Sequence, residues 1–505
     1  MAWQSASRHS VTEEDIDRLS AIQDVHSSNR WKRKYALVFS DIFAMCLATL
    51  VAIVLSESAR SALLISAVNF GIPLSEATRV IMFALPVLLL VSASHVMGHY
   101  TRMKPLWGEI KDFMRIVAYT IAVTAVVLFF SKAHFSRLWL IAYWTLIFAL
   151  VPSCRYLVKL LLIRNGNFFV PVVIFGTGVN ALKCAKTILS DNMLGLRVVA
   201  FVNTGSIDSE ARCKDIPWQM VLDSGYDKSV LDIKYDKPHF LFALDSGEEF
   251  EKNKPVLNTL IANSRYITLS PPLYGMPLDG AEVVNVQRCD SLLIRLQNNL
   301  AKPHSAFIKR TVDIIGSALA IIILSPFVAV LLVHIKKDGG PVFYKQKRIG
   351  RHSSTFDCWK LRSMVVNADV VLARHLESSS SARAEWERDH KLKDDPRITV
   401  VGAFIRKGSL DELPQLWNVF KGNMSLIGPR PIVVEEQTKY GELLQYYLGN
   451  RPGITGLWQI SGRNDTTYDE RVDLDVWYSR NWSLWLDVVI LVKTIPVVVF
   501  GSGAY

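Results

Sequence analysis

Val312–Ile335 reads VDIIGSALAIIILSPFVAVLLVHI, and the reading of this run decides on which side of a membrane the rest of the chain lies. At 1.5 Å per residue its 24 residues are long enough for a ~30 Å hydrocarbon core. Ser325-Pro326 falls near its middle, however. A proline removes a backbone donor and crowds the preceding turn, so a kink or break is expected there. A proline tolerated in a true span is the other reading. As a full crossing, the run would put everything after it outside the cytoplasm.

Toward the N-terminus lie four more apolar runs, Tyr35–Leu55, Val80–Met97, Phe113–Ser131 and Leu138–Pro152. Their lengths approach a bilayer's, and four of them in about 165 residues read as a membrane bundle rather than as buried core helices. Basic residues orient it. Arg30–Lys34 (RWKRK), Arg102, Lys104, Lys111, Lys159 and Arg164 fall on one side, while the opposite loops carry only Arg60, Arg79, Lys132 and Arg137. Both ends of the bundle are therefore expected in the cytoplasm. The first thirty-odd residues are polar and do not read as a cleavable signal peptide.

Composition agrees with a part-membrane chain. Its 505 residues call for two or three domains, half of them are hydrophobic, and the mean hydropathy is positive. A formal charge of +11 suits a phosphate-rich partner: anionic lipid, nucleotide or nucleic acid. The six cysteines form no CxxC pair, which argues against a zinc site or a disulfide framework.

Residues 166–290 read as soluble α/β. The β-like run Phe169–Phe175 leads into Gly176-Thr177-Gly178-Val179-Asn180-Ala181, and further strands are expected at Arg197–Val202 and His239–Leu244. Glycines in such a turn let backbone N–H groups approach a pyrophosphate at a helix N-terminus. Ala181 stands for the third glycine, and Asn203 stands where the ribose-binding acid belongs. A Rossmann-like fold used for assembly or regulation, with no bound nucleotide, is the expectation.

From Gly340 to Arg463 the chain turns polar, basic and dense in short motifs. They are Lys345–Gly350 (KQKRIG), Lys360–Met364 (KLRSM), Asp394–Thr399 (DDPRIT), Ser409–Leu416 (SLDELPQL), Gly428–Pro431 (GPRP) and Arg451–Arg463 (RPGITGLWQISGR). Ser409-x-x-Glu412 has capping-box spacing, which would be a purely structural use. Neighbouring helix residues point about 100° apart, so Asp411 and Glu412 can also do different work. One carboxylate can attack phosphorus while the other helps hold Mg²⁺ against a pyrophosphate. Arginine suits bidentate phosphate contacts, and Arg430 is fixed between Pro429 and Pro431.

This set of motifs resembles the polyprenyl-phosphate hexose-1-phosphate transferases of the monotopic phosphoglycosyl transferase superfamily. The match covers about 305–505 and extends upstream, through Leu293–Lys302 (LIRLQNNLAK), to the large subgroup typified by undecaprenyl-phosphate galactose phosphotransferase. The resemblance implies a membrane protein of α plus α/β class. A cytoplasmic tail (1–34), a four-helix bundle (35–165) and a Rossmann-like cytoplasmic domain (166–290) precede a catalytic domain (305–505) of mixed α/β. In that domain a re-entrant helix (312–335), broken at Ser325-Pro326, enters and leaves on the cytoplasmic face of the bacterial inner membrane.

It also implies the reaction: hexose-1-phosphate, galactose first and glucose as the alternative, passes from a UDP-hexose to undecaprenyl phosphate with release of UMP, the first membrane step of O-antigen, capsule or exopolysaccharide synthesis. Carried over by motif, Asp411 is the nucleophile and Glu412 serves the metal, Mg²⁺ with Mn²⁺ as substitute, with Asp411 beside it. Arg430 with Pro429 and Pro431, Arg362, Arg397, Lys360 and Asp475 are expected around substrate. Lys309 and Arg310 are expected at lipid phosphate or as a positive anchor. The apolar Leu484–Phe500, carrying Asp487, Lys493 and Pro496, reads as a surface-lying amphipathic helix. Expected partners are the two substrates, membrane lipid and a second copy of the chain, with no nucleic acid.

Two rivals belong to other classes. A membrane-tethered nucleotide-sugar dehydratase or epimerase needs a Tyr-x-x-x-Lys pair in its Rossmann domain, and the chain's instance, Tyr100…Lys104, precedes that domain. A non-catalytic scaffold would not need the Asp-Glu pair and GPRP.

Overall fold

The computed structural model describes residues 30–62, 76–101, 103–131, 137–203, 221–222, 238–263, 267–273, 276, 281–285, 292–337, 339–389, 392, 395–462 and 466–499. Most of the tail, with Arg102, Lys132, Asp394 and Arg463, lies outside them. The chain falls into two compact units divided after Leu273.

The first unit opens with α1 (Arg30–Ala62), α2 (Glu76–Val96), α3 (Leu106–Ser131) and α4 (Arg137–Arg164). Among the described residues α1, α3 and α4 carry apolar stretches long enough to cross a membrane, and α2 a shorter one, Ala84–Val96. Ala44, Ala48 and Ala52, one helical turn apart on α1, join a core with Tyr143, Ile147 and Val151 of α4. Small residues at that spacing let two helices approach closely. Phe39, Leu50, Phe129 and Ile141 remain exposed on the outside, as expected of helices solvated by lipid.

Helix α4 does not end near Pro152 but runs on to Arg164, and so takes Arg155 and Lys159 into the bundle. Arg155 forks onto Asp41 (Nε–Oδ1 2.6 Å, Nη2–Oδ2 2.5 Å), and the Tyr100 hydroxyl donates to the same carboxylate at 2.6 Å. Lys159 is buried against Glu109 at 2.6 Å. Its charge is paired inside the protein. Polar groups so deep in an apolar bundle persist only when paired, and the pairs fix the register of the helices that bring them.

An α/β layer follows. β1 (Val170–Phe175), β2 (Leu196–Val202), β3 (Val221–Leu222), β4 (His239–Phe242) and β5 (Ile267–Leu269) form a parallel sheet in the order β3-β2-β1-β4-β5. α5 (Val179–Ser190) follows β1, and α6 (Gly247–Asn263) links β4 to β5. Every residue of β1 is buried, the pattern of a central parallel strand covered on both faces. The sheet ends at Leu269, short of residue 290.

The second unit begins with the antiparallel pair β6 (Glu282–Asn285) and β7 (Leu292–Arg295), followed by the long α7 (Pro303–Lys336). The break expected at Ser325-Pro326 does not interrupt this helix. Pro326 cannot donate to the carbonyl four residues back, Ile322. The Ser325 hydroxyl donates there instead, at 2.9 Å. The orphaned acceptor is satisfied from the side, which is how apolar helices tolerate proline.

Both ends of α7 are held by the same unit. Near its start Arg310 donates to the carbonyls of Val419 (2.7 Å) and Phe420 (2.8 Å), and Asp313 accepts from Ser425 Oγ and Leu426 N, each at 3.0 Å. Near its end Leu331 and Ile335 pack with Leu361 and Ile405. Between these anchors Leu319, Ile322, Ile323 and Val330 are exposed.

The rest of the unit is compact and short-segmented. The hairpin β8 (Phe343–Ile349)–β9 (Thr355–Leu361) precedes α8 (Ala368–Ser378), α9 (Ser380–Asp389), α10 (Val400–Lys407) and α11 (Gln415–Lys421). A parallel pair, β10 (Ser425–Ile427) with β11 (Gly453–Thr455), leads to α12 (Tyr468–Arg480) and α13 (Leu484–Val499). α13 turns Ile490 and Asp487 inward and leaves Leu484, Leu491 and Ile495 exposed.

Candidate active site

Asp411 and Glu412 lie in a single 3-10 turn, Leu410–Glu412, between α10 and α11. The turn is entered through Ser409 at φ +53°, the left-handed region, and the Ser409 side chain makes no capping bond. An N-cap residue normally has extended backbone. The capping box suggested by the S-x-x-E spacing is therefore absent, and the Glu412 carboxylate is free for another use.

That use is set by β9. Lys360, near the end of β9, puts its ammonium 2.8 Å from Glu412 Oε1 and 3.8 Å from Asp411 Oδ2. Asn418 of α11 fixes the strand relative to the turn, accepting from Trp359 N at 3.1 Å and donating to Asp357 O at 2.8 Å. Burial pushes the Asp411 carboxyl above the usual carboxylate range; Lys360 opposes the shift and Glu412 adds to it. Two carboxylates this close need a cation between them, and Lys360 fills that role here.

Next to the dyad is an apolar cavity of about 480 Å³. Ile321, Leu324, Val328 and Leu332 of α7 form one wall, and Trp359, Leu413, Pro414 and Trp417 face them. The residues immediately after Glu412 thus line a space whose other side is an apolar helix.

The glycine-bearing motifs are one structure. Gly453 N donates to Pro429 O at 2.8 Å and Gly428 N to Thr455 O at 2.9 Å. A Cβ on Gly453 would lie 2.1 Å from Gly428 N, so GPRP and RPGITG pack backbone to backbone. This presents Arg430, which is exposed, with its guanidinium 5.4 Å from the Trp458 ring centre. Arg471 of α12 approaches the same ring at 5.0 Å. Both distances are in the range of cation–π attraction, and they gather two positive charges around one buried indole.

Asp475, one helical turn beyond Arg471, is buried and accepts the Tyr440 hydroxyl at 2.8 Å. Burial raises its carboxyl to about 7, against the opposing influence of Tyr440 and Arg430. It lies behind the Arg430 loop rather than on an open surface. Arg348 of β8 donates to Pro431 O at 3.2 Å and so ties the GPRP loop to the hairpin that carries Lys360.

Other expected substrate residues are committed elsewhere. Lys309 is paired with Asp487 at 2.7 Å and donates to Ile427 O at 3.1 Å. Arg310 holds the C-terminal carbonyls of α11, where a positive charge also complements the helix dipole. Arg362 donates to Ile335 O at 3.1 Å and so fastens the far end of α7. Arg397 is bidentate to Asp395 (Nε–Oδ1 2.8 Å, Nη2–Oδ2 2.7 Å) and lies over Trp386. All four make contacts within the fold, away from the Asp411-Glu412 turn. The site gathers Lys360, Asp411 and Glu412, with Arg430, Pro429 and Pro431 on the neighbouring loop and Asp475 behind it.

Trp458 and Arg471 were not singled out from sequence. Trp458 stands inside the quoted RPGITGLWQISGR, and Arg471 precedes Asp475 by four, the spacing of one helix face. The rival Tyr-x-x-x-Lys pair is spoken for: Tyr100 bonds Asp41, and Lys104 bonds Asp112 at 2.6 Å.

Among the described residues no three acidic, histidine or cysteine side chains are grouped to cage a metal. Asp411 and Glu412 nonetheless fit Mg²⁺, which needs only one or two protein carboxylates when a diphosphate brings the remaining oxygens. The Lys360 ammonium against both carboxylates marks where a cation is favoured.

Comparison with known proteins adds three relatives and two family profiles. The profile of the bacterial sugar transferases matches residues 304–501, and that of a CoA-binding domain matches residues 95–224. The chain is 43% identical over 410 residues to the undecaprenyl-phosphate galactose phosphotransferase of Salmonella typhimurium, covering 81% of this chain and 84% of that protein. It is 38% identical over 473 residues to the UDP-galactose-lipid carrier transferase of Erwinia amylovora, covering 94% and 97%. The exopolysaccharide production protein ExoY of Sinorhizobium fredii is 46% identical over 216 residues, which are 43% of this chain and 96% of ExoY.

Proposed function

The chain belongs to the bacterial sugar transferase family, and from that premise we propose that it transfers hexose-1-phosphate from a UDP-hexose to undecaprenyl phosphate at the cytoplasmic face of the inner membrane. Galactose-1-phosphate is the first choice of cargo, after the names of the two long relatives, and glucose-1-phosphate the alternative. The observation that carries the reading is the partly buried Asp411-Glu412 pair, bridged by Lys360 and adjoining an apolar cavity under α7.

The chemistry follows in two steps. An Asp411 carboxylate oxygen attacks the sugar-bearing phosphorus; the bond to the UMP oxygen breaks, UMP leaves, and a sugar-phosphoryl aspartate remains. An oxygen of the lipid phosphate then attacks that phosphorus and displaces Asp411, giving the lipid diphosphate sugar. Mg²⁺, held by Glu412 with Asp411, would draw charge from the diphosphate. Lys360 keeps the two carboxylates from repelling one another before substrate arrives. Arg430, with Arg471 beside it, suits the nucleotide end, and the cavity suits the first isoprene units of the acceptor.

A one-sided course for α7 belongs to the same reading, now with an unbroken helix in place of one broken at Ser325-Pro326. A straight crossing would set the helix ends on opposite sides of a ~30 Å core. One small folded unit grips both ends, through Arg310 and Asp313 at one and Arg362 at the other. Both ends are most simply on one side, with the exposed apolar flank in one leaflet. A homodimer formed through the first unit completes the proposal.

The test is UMP release against a panel of UDP-hexoses with undecaprenyl phosphate and Mg²⁺. Asp411→Asn should lose at least a thousandfold in turnover and still bind nucleotide. Without acceptor, wild type should release no more than about one UMP per chain and leave a hexose-phosphate mass on the Asp411 peptide. Efficient turnover by Asp411→Asn would mean direct transfer between the substrates.

A further inference from the structure

The glycine-rich turn after β1 takes no part in the transferase chemistry, yet it has the geometry of an anion seat. Gly176 stands at φ +115°, and a Cβ there would lie 2.5 Å from Ala243 O. A Cβ on Gly178 would lie 1.6 Å from Asp245 Oδ2. The Asp245 carboxylate accepts the N–H of Val179 at 3.0 Å and of Asn180 at 2.8 Å, the first two residues of α5.

In a doubly wound sheet the phosphates of a ligand occupy this place, at the helix N-terminus and in the crevice where strand order reverses. Here the order reverses between β1 and β4, and Asp245 comes from the loop after β4, the other lip of that crevice. Asn180 draws the lips together, its Nδ2 donating to Leu244 O at 3.0 Å and to Ser270 O at 2.6 Å. Asn203, in place of the ribose-binding acid, removes the second hold on a dinucleotide.

We infer that Asp245 is the resident ligand of this turn: the α/β domain seats its own carboxylate where a dinucleotide or coenzyme A would place a pyrophosphate. The two glycines are then required by the close approach of two loops of one chain. An incoming pyrophosphate would meet a like charge already holding both N–H groups, and would have to expel it.

The test uses the full chain in lipid nanodiscs, with coenzyme A, NADH and inorganic pyrophosphate as probes in equilibrium dialysis and thermal unfolding. With Mg²⁺ omitted and excess UDP present throughout to occupy the transferase site, wild type should take up none of them at about 1 mM, the concentration at which even weak sites begin to fill. Asp245→Ala frees both N–H groups, so pyrophosphate should raise its melting temperature. One-to-one uptake of coenzyme A or NADH by wild type would overturn the inference, and so would a folded Asp245→Ala indifferent to pyrophosphate. If Asp245→Ala does not fold, Gly178→Ala gives a second reading. The three atoms nearest its new Cβ all belong to Asp245. Gly178→Ala should therefore destabilise wild type and be relieved by adding Asp245→Ser; no relief sinks the proposal. None of these readouts depends on sugar transfer.

Discussion

At the scale of single residues the site divides into groups that meet substrate and groups that hold those groups still. Arg471, beside Arg430, is proposed for the first class, while the buried Trp458 belongs with the groups that hold them. Arg471→Ala should raise the KM for UDP-hexose about tenfold while kcat changes little, the signature of lost uniform binding. Steady-state UMP release at varied donor reads this directly, and a fall in kcat alone would count against it. Asp475 falls in the second class and carries a pH dependence of its own. A carboxyl raised from 3.8 to about 7 by burial favours the folded chain while protonated. That contribution is complete below the ordinary carboxylate range and is lost as pH rises toward about 7. Asp475→Asn removes the titration and keeps an acceptor for Tyr440. Its melting temperature should therefore exceed that of wild type at pH 8 by more than it does at pH 5. An offset independent of pH would mean that Asp475 is charged throughout. Sequence exposed the dyad because its two carboxylates are neighbours in a distinctive motif. It did not show the pairing of Arg397 with Asp395, two residues away, which the structure adds. The meeting of Arg430, Trp458 and Arg471 is a tertiary contact that no local spacing encodes.

At the scale of elements α7 is where the sequence reading and the structure part. A proline in an apolar run implies a kink or break through its missing donor, and the serine before it decides against the break. Ser325 supplies that donor, and the helix continues. Ser325→Ala should cost about 1 kcal/mol by leaving the Ile322 carbonyl without a partner. Pro326→Ala restores the backbone N–H, so Ser325→Ala should be nearly neutral in that background. A double-mutant cycle on unfolding of the detergent-solubilised protein measures the difference, and equal costs in both backgrounds would refute the exchange of donors. The sheet was more legible: β1, β2 and β4 match the apolar runs read from sequence to within about two residues at each end. Parallel strands covered on both faces are written in uninterrupted hydrophobic residues. The pairing of Lys159 with Glu109 was not legible, since a buried lysine and an exposed one look alike in sequence.

At the scale of the molecule the two units are expected to divide the labour. The transferase motifs lie wholly in the second, and ExoY, nearly all of which aligns with residues of this chain, shows a relative of about that size alone. A chain beginning at Ser305 and inserted in membrane should retain UMP release within about tenfold of the full chain; complete loss in a correctly inserted protein would tie catalysis to the first unit. For sidedness, Lys421→Cys is a better probe than a cysteine at Gly422, whose φ of +96° strains any side chain. It should react with an impermeant reagent only after the cytoplasmic face is opened; labelling from the periplasm would end the one-sided reading. The grip on both ends of α7 also has a consequence in time. The ribosome delivers α7 before Val419, Ser425 and Asp487, the residues that will clasp its beginning. At ~5–20 residues per second, the helix waits several seconds before the partners of its beginning exist. On the proposed one-sided course, that sidedness has to be kept through the interval before the clasp at its beginning can form, and slower translation would lengthen the window.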